Sequence, residues 1–408
     1  MKKKCSRVPW LLTWLLSLFA ASQLLAQQNG EEQAQQEELG GDFCGIRTLA
    51  FSPDSSLLAA GGDGAVVALW RVADGQLLRT FEVGQGGADL VRFSPDGELL
   101  AAAGGENGGI VKIWRVADGA PVAVLHPKGP SFVEMVFSPD SQLLALMPVK
   151  NAVKQGIELW RVSDGSLLWR KDSKGLSGGL VFSADGKALL SPYGSWPEVL
   201  AFWRVEDGAL LRKWALPHRL GSLAISSNSL AISSDGAYLA VSMGHDEYLF
   251  LWRLADGKLF RSFASAEETR KSSRTLFLIA GVKGGGVTPN AGKGSAPTPS
   301  PTPRPEAEPA LELPKAVAEK VDCPLDRFSF GEDGRLFFLG SKRVCWFSPP
   351  YGRVRQLRIP EDGIAKAVAP NGLWLGVVVD EFEVEIRVLK LPDGSLVRVL
   401  YHCVPQGC

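Results

Sequence analysis

The sequence predicts an all-β fold, a seven-bladed β-propeller of four-stranded antiparallel blades. Two observations predict it. A unit recurs along most of the chain, marked by Trp70, Trp114, Trp160, Trp203 and Trp252 at intervals of 44, 46, 43 and 49 residues. Each unit holds four short apolar runs separated by turn signals, and no run has a helical period.

The first unit, LAFSPDSSLLAAGGDGAVVALWRVADGQLLRTF from Leu49, sets the pattern. Clear copies begin at Val91, Met135, Leu180 and Leu230, and degenerate ones at Phe328 and Ala367. Trp346 and Leu389 take the tryptophan position in the last two. The turn after the first run reads Ser52-Pro53-Asp54, usually with a small residue next. Proline presets φ there, and Ser and Asp supply turn hydrogen bonds. The turn between the last two runs is Asp-Gly, as at Asp74-Gly75, a strong hairpin signal. The unit is therefore an antiparallel meander of strands a, b, c and d. Its strands are rich in Val, Leu, Ile, Phe and Trp on both faces, so both faces need cover. Radial stacking of like sheets provides it.

The remaining chain sorts around these repeats. Residues 1–26 read as a signal peptide: Lys2, Lys3, Lys4 and Arg7, then an apolar run from Val8 to Ala21, then a short polar stretch ending Leu24-Leu25-Ala26-Gln27. That run is short for a membrane span. A membrane tether is expected only if this segment is not cleaved. Cys5 precedes the apolar run, so it is not a lipoprotein acceptor. Residues 27–43 form a Gln/Glu-rich tether expected to be disordered. Blades one to five occupy 44–282, a Pro/Gly-rich insert 283–320, and blades six and seven 321–408. The insert is expected to be dispensable for folding. Thr275–Val282, just before it, is an apolar strand with no place in the seven units.

The units resemble WD40 repeats, on the tryptophan period and the Ser-Pro-Asp and Asp-Gly turns quoted above. Arg71, Arg115, Arg161, Arg204 and Arg253 stand where that family has an Asp after Trp, and its Gly-His before strand a is missing. The resemblance therefore supports the fold more than any one partner. Each of these arginines is expected to pair with an Asp of the adjacent turn.

Composition narrows the function. Lys+Arg and Asp+Glu both number 44, and without the four cations of residues 1–26 the balance is 40 to 44. Nucleic acid is not an expected partner of such a surface. HExxH and GxSxG are absent. No catalytic residue, cofactor or metal is expected. The reading is a non-enzymatic scaffold for another protein, in the periplasm or secreted. The alternative is a propeller enzyme similar to lactonases or quinoproteins, with its site at the channel mouth. That would need several Asp, Glu, His or Asn side chains converging there, whereas the strand-a residues read as mostly Gly, Leu, Val and Ser.

In a meander of this kind the a–b and c–d turns share one rim, and the b–c and d–a loops share the other. The first set is repetitive and the second irregular, so the second is the expected binding face. Tyr193 and Trp196, in the loop SPYGSWPE, are its candidate anchors. His126, His218 and His245 fall on the same rim, from different blades and without ligand spacing, which favours ordinary surface histidines. Lys150, Lys154 and Lys174 lie nearby, as a basic patch or a merely solvated face.

Five cysteines survive cleavage, with no CxxC pair, and an oxidising compartment permits disulfides among them. Cys44 precedes the first strand and Cys403 follows the last. A disulfide from Cys44 to Cys403 or Cys408 would clasp the ring. A local Cys403–Cys408 loop is the competing possibility.

Overall fold

The computed structural model describes residues 45–403 except 105–108, 130, 151–152, 155, 172–178, 194–198, 216–229, 244–247, 266–318, 322, 324–326, 341–342, 352, 360–362 and 381–383. Seven sheets, antiparallel but for one added strand, follow one another along these residues. Blade one is β1–β4 (Ile46–Phe51, Leu57–Gly62, Val66–Arg71, Leu77–Glu82), and blade two is β5–β8 (Ala88–Phe93, Leu99–Gly104, Ile110–Arg115, Pro121–Leu125). Blade three is β9–β13 (Ser131–Phe137, Leu143–Lys150, Val153–Lys154, Ile157–Arg161, Leu167–Lys171). Blade four is β14–β17 (Val181–Phe182, Ala188–Tyr193, Val199–Arg204, Leu210–Ala215). Blade five is β18–β22 (Leu230–Ile232, Tyr238–Met243, Tyr248–Arg253, Lys258–Ser265, Glu319–Val321). Blade six is β23–β26 (Arg327–Phe330, Leu336–Leu339, Arg343–Phe347, Val354–Arg358), and blade seven is β27–β30 (Ile364–Val368, Trp374–Asp380, Val384–Lys390, Leu396–Cys403).

The turns form as their residues dictate. Ser52 Oγ donates to Asp54 at 2.5 Å and accepts from the Leu57 amide at 2.9 Å. The same pair of bonds recurs at Ser94, Ser138, Ser183 and Ser233. These hydrogen bonds hold the Asp185 and Asp235 carboxyls below the usual aspartate range, the serine hydroxyl contributing most. The residue after the aspartate has φ near +63° at Ser55 and +75° at Gly97, which explains the small residue there. At Gly257, in the Asp-Gly turn, φ is +65° and a Cβ would stand 2.7 Å from the Trp214 ring of the previous blade.

Blades pack face to face through seven apolar clusters, each shared by two neighbours. Trp70, Trp114, Trp160, Trp203 and Trp252 all lie in these clusters and are no more than 8% exposed. Each packs toward the preceding blade, and Trp70 of blade one packs on blade seven. Blade six departs from expectation by one residue. Phe347, not Trp346, pairs with Leu336 in the register that Trp70 keeps with Leu58. Side chains alternate along a strand, so Phe347 faces blade five and Trp346 faces blade seven.

Among the described residues the ring closes without strand exchange. Blade seven supplies its own outer strand, β30. The seam with blade one is a cluster that joins Ile46, Phe51 and Trp70 to Val378, Ile386 and Leu400. Arg398 donates across it to the Ala73 carbonyl at 2.8 Å, and the Asn371 amide donates to Ser55 Oγ at 3.3 Å.

One strand was not legible. β22 adds parallel to β21, pairing Phe263 with Glu319 and Ser265 with Val321. The expected end of the insert, residue 320, falls inside it. Thr275–Val282 and the rest of the insert lie outside the described residues. Deleting 283–314, with a short Gly/Ser bridge, is expected to leave the melting temperature within a few degrees of the parent's; a deletion running through 320 should destabilise, because it removes β22. Differential scanning calorimetry of the two deletions checks this, and equal melting temperatures would refute it.

Just beyond β22, Cys323 is disulfide-bonded to Cys345 of β25. Both are buried in the cluster between blades five and six. Cys44 and Cys408 lie outside the described residues, as does the side chain of Cys403, so the expected clasp falls there too.

Candidate functional site

Antiparallel meanders place the b–c hairpins and the d–a loops on one rim. Its described residues are fixed at their bases by charge. Arg47, at the start of β1, bonds Asp89 at the start of β5 at 2.6 Å and also pairs with Asp63 of the b–c loop. This ties the rims of blades one and two together.

Blade three has a stronger tie. Glu158 of β12 is fully buried. It accepts from Trp160 Nε1 at 3.0 Å and from the Lys128 amide at 3.1 Å, and pairs with Arg170. A buried carboxylate is tolerable only when so satisfied. Here it pins the d–a loop that carries His126. In blade four Trp203 Nε1 donates instead to Ser191 Oγ at 2.9 Å.

His126 is exposed, just beyond β8. Tyr193 ends β15 and packs against the cluster between blades three and four. Its ring lies 5.8 Å from that of Trp203, with Lys213 Nζ 4.3 Å over it. Tyr193 is thus half-buried and held, with a cation on its outer side. Lys150 and Lys154 fall on β10 and β11, which pair as the extended b–c hairpin of blade three. Trp196, His218, His245 and Lys174 lie outside the described residues. So the rim brings His126, Lys150, Lys154 and Tyr193 onto blades two to four. Among the described residues, no three His, Cys, Asp or Glu side chains converge as metal ligands.

The opposite rim is regular. Its five Trp-Arg pairs bond the Asp three residues on: Arg71 to Asp74, Arg115 to Asp118, Arg161 to Asp164, Arg204 to Asp207 and Arg253 to Asp256, at 2.7–3.2 Å. All five arginines are exposed, so each pair adds little stability.

The inner strands enclose a channel cavity of about 640 Å³, lined from all seven blades. Sequence reading missed its charged members. Arg92, Glu134, Arg327 and Lys366 belong to four different blades, and no linear motif links them.

Fold, repeat and rim together make the chain a WD40-like seven-bladed β-propeller. A family profile described as "WD domain, G-beta repeat" matches residues 34–71 and 75–115. The chain is similar to apoptotic protease-activating factor 1 of Homo sapiens and of Rattus norvegicus, at 42% identity over 77 residues in each case. The match covers 17% of this chain and 6% of the length of each of these relatives.

Proposed function

We propose that this protein is an exported, non-catalytic scaffold that binds another protein through its b–c/d–a rim. The observation that carries the reading is the contrast between the rims. One repeats the same Ser-Asp and Arg-Asp bonds in blade after blade. The other differs blade by blade and is braced at its base by Glu158 and Arg47. WD40 propellers generally bind other proteins. The relatives are named for activating a protease, a role exerted on another protein. Export is supported by the charged-then-apolar N-terminus and by the Cys323–Cys345 bond, which suits an oxidising compartment. Against catalysis, Glu134 is the one carboxylate among the described residues of the channel lining, and Arg92 holds it at 3.2 Å.

Cross-linking of the exported protein tests the rim. Replacing residues 194–198 by Gly/Ser together with Lys213→Ala should cut the yield of the main cross-linked partner by about tenfold, the effect of losing roughly 1.4 kcal/mol of binding. Arg71→Ala with Arg115→Ala, on the opposite rim, should leave it unchanged. Loss through the opposite rim alone would assign binding to the wrong face.

A further inference from the structure

We propose that the central channel is a binding site for a small phosphate-bearing molecule, held by Arg327 and Lys366. The site lies inside the ring and not on the rim loops described above. Its lining runs from Arg327 at the start of β23 and Leu339 at the end of β24 to Pro53, Pro95 and Pro370 in the a–b turns.

Charge within the cavity carries the inference. Most of the lining is apolar, and among its described residues three cations face one carboxylate. Arg92 and Glu134 pair across blades two and three, and Glu134 is buried. That leaves Arg327 of blade six and Lys366 of blade seven. Neither has an ion pair with any described residue. Both are partly buried, and both line the same channel from adjacent blades. Burial first, and then the Arg327 charge, push the Lys366 ammonium below the usual lysine range. Two like charges held together in a partly dry cavity cost stability unless something neutralises them.

A dianion does that with one molecule. A guanidinium offers paired N–H donors to two oxygens, and an ammonium offers a movable point charge, a combination suited to phosphate. The volume lies within the ~300–1,000 Å³ range of small-molecule sites and is far larger than one inorganic ion needs. The apolar walls, including Ala50, Val136, Val181 and Ala231, would face the organic body of a phosphate monoester.

Isothermal titration of the mature chain tests this with three probes: inorganic phosphate, glycerol 3-phosphate, and chloride at matched ionic strength. Saturable binding of phosphate with tighter binding of the monoester is expected, and no heat from chloride. Monoester affinity should fall at least tenfold in Lys366→Met/Arg327→Met and survive in Lys366→Arg. Without ligand, the double variant should melt at or above the parent, because a repulsion is gone. Phosphate and chloride responses that match would overturn the proposal. So would unchanged affinity in the double variant, or in Lys366→Gln should the double variant not fold. A ligand-free loss of stability in Lys366→Met would also sink it, by showing that the protein itself neutralises Lys366.

Discussion

Trp252→Ala is expected to lower stability by about 3–5 kcal/mol, the range for deleting a large buried aromatic. Trp252 is 2% exposed on β20. It packs among Leu190, Phe202 and Trp214 of blade four and Leu239 and Val241 of its own blade, with the Phe250 ring centroid 5.4 Å away. Its removal opens a void between two rigid sheets, neither of which can move inward without disturbing its other neighbour. The loss should therefore lie near the top of the range. Circular dichroism melts and urea titrations measure it, with Leu396→Ala as the control. Leu396 is 56% exposed on the outer strand β30, and its truncation should cost under about 0.5 kcal/mol. Trp114→Ala and Trp160→Ala should behave like Trp252→Ala. If they melt with the parent, the repeated tryptophan is not a core residue.

Breaking the Cys323–Cys345 bond is expected to cost about 3 kcal/mol. The two residues are 22 apart in sequence, and closing a loop of that length in the unfolded chain carries roughly that entropy. The position adds to the effect. Cys323 follows β22, the strand that reaches blade five from the far side of the insert, and Cys345 sits in the core of blade six. The bond thus joins the returning chain to the next blade. A Cys323→Ala/Cys345→Ala variant should melt several degrees lower, and a reductant should lower the parent by a similar amount while leaving the variant alone. Peptide mapping without reduction should recover the 323–345 pair. A variant as stable as its parent would show that blades five and six hold together by packing alone.

Much of the fold was legible because a repeat states the same instruction many times. A Ser and an Asp two residues on, Asp-Gly and the tryptophan marked strand limits in five blades, with Pro between Ser and Asp in three of them, and the Arg-Asp pairs formed as their spacing implied. Where the signal stood alone, legibility failed. In blade six the tryptophan misled by one position, since the register of Phe347 with Leu336 depends on a pairing that no local pattern states. β22 was hidden because three residues, Glu319–Val321, carry no periodicity. The disulfide could not be read because odd cysteines allow several connectivities. The channel charges were missed for a geometric reason: Arg92, Glu134, Arg327 and Lys366 come to line one channel only when the ring closes.

The seam between blades one and seven bears on how the ring is made. In a ring locked by an exchanged strand, the last sheet is incomplete until the chain's first residues return to it, so closure waits on the most distant contact in the molecule. Here all four strands of blade seven are contiguous in sequence, and what remains for the seam is the docking of two finished faces. Every strand pairing among the described residues except that of β22 with β21 is local, and local contacts form fast. A chain emerging from a pore with its N-terminus leading can fold blade after blade in order, and none of its sheets need stay open until the end.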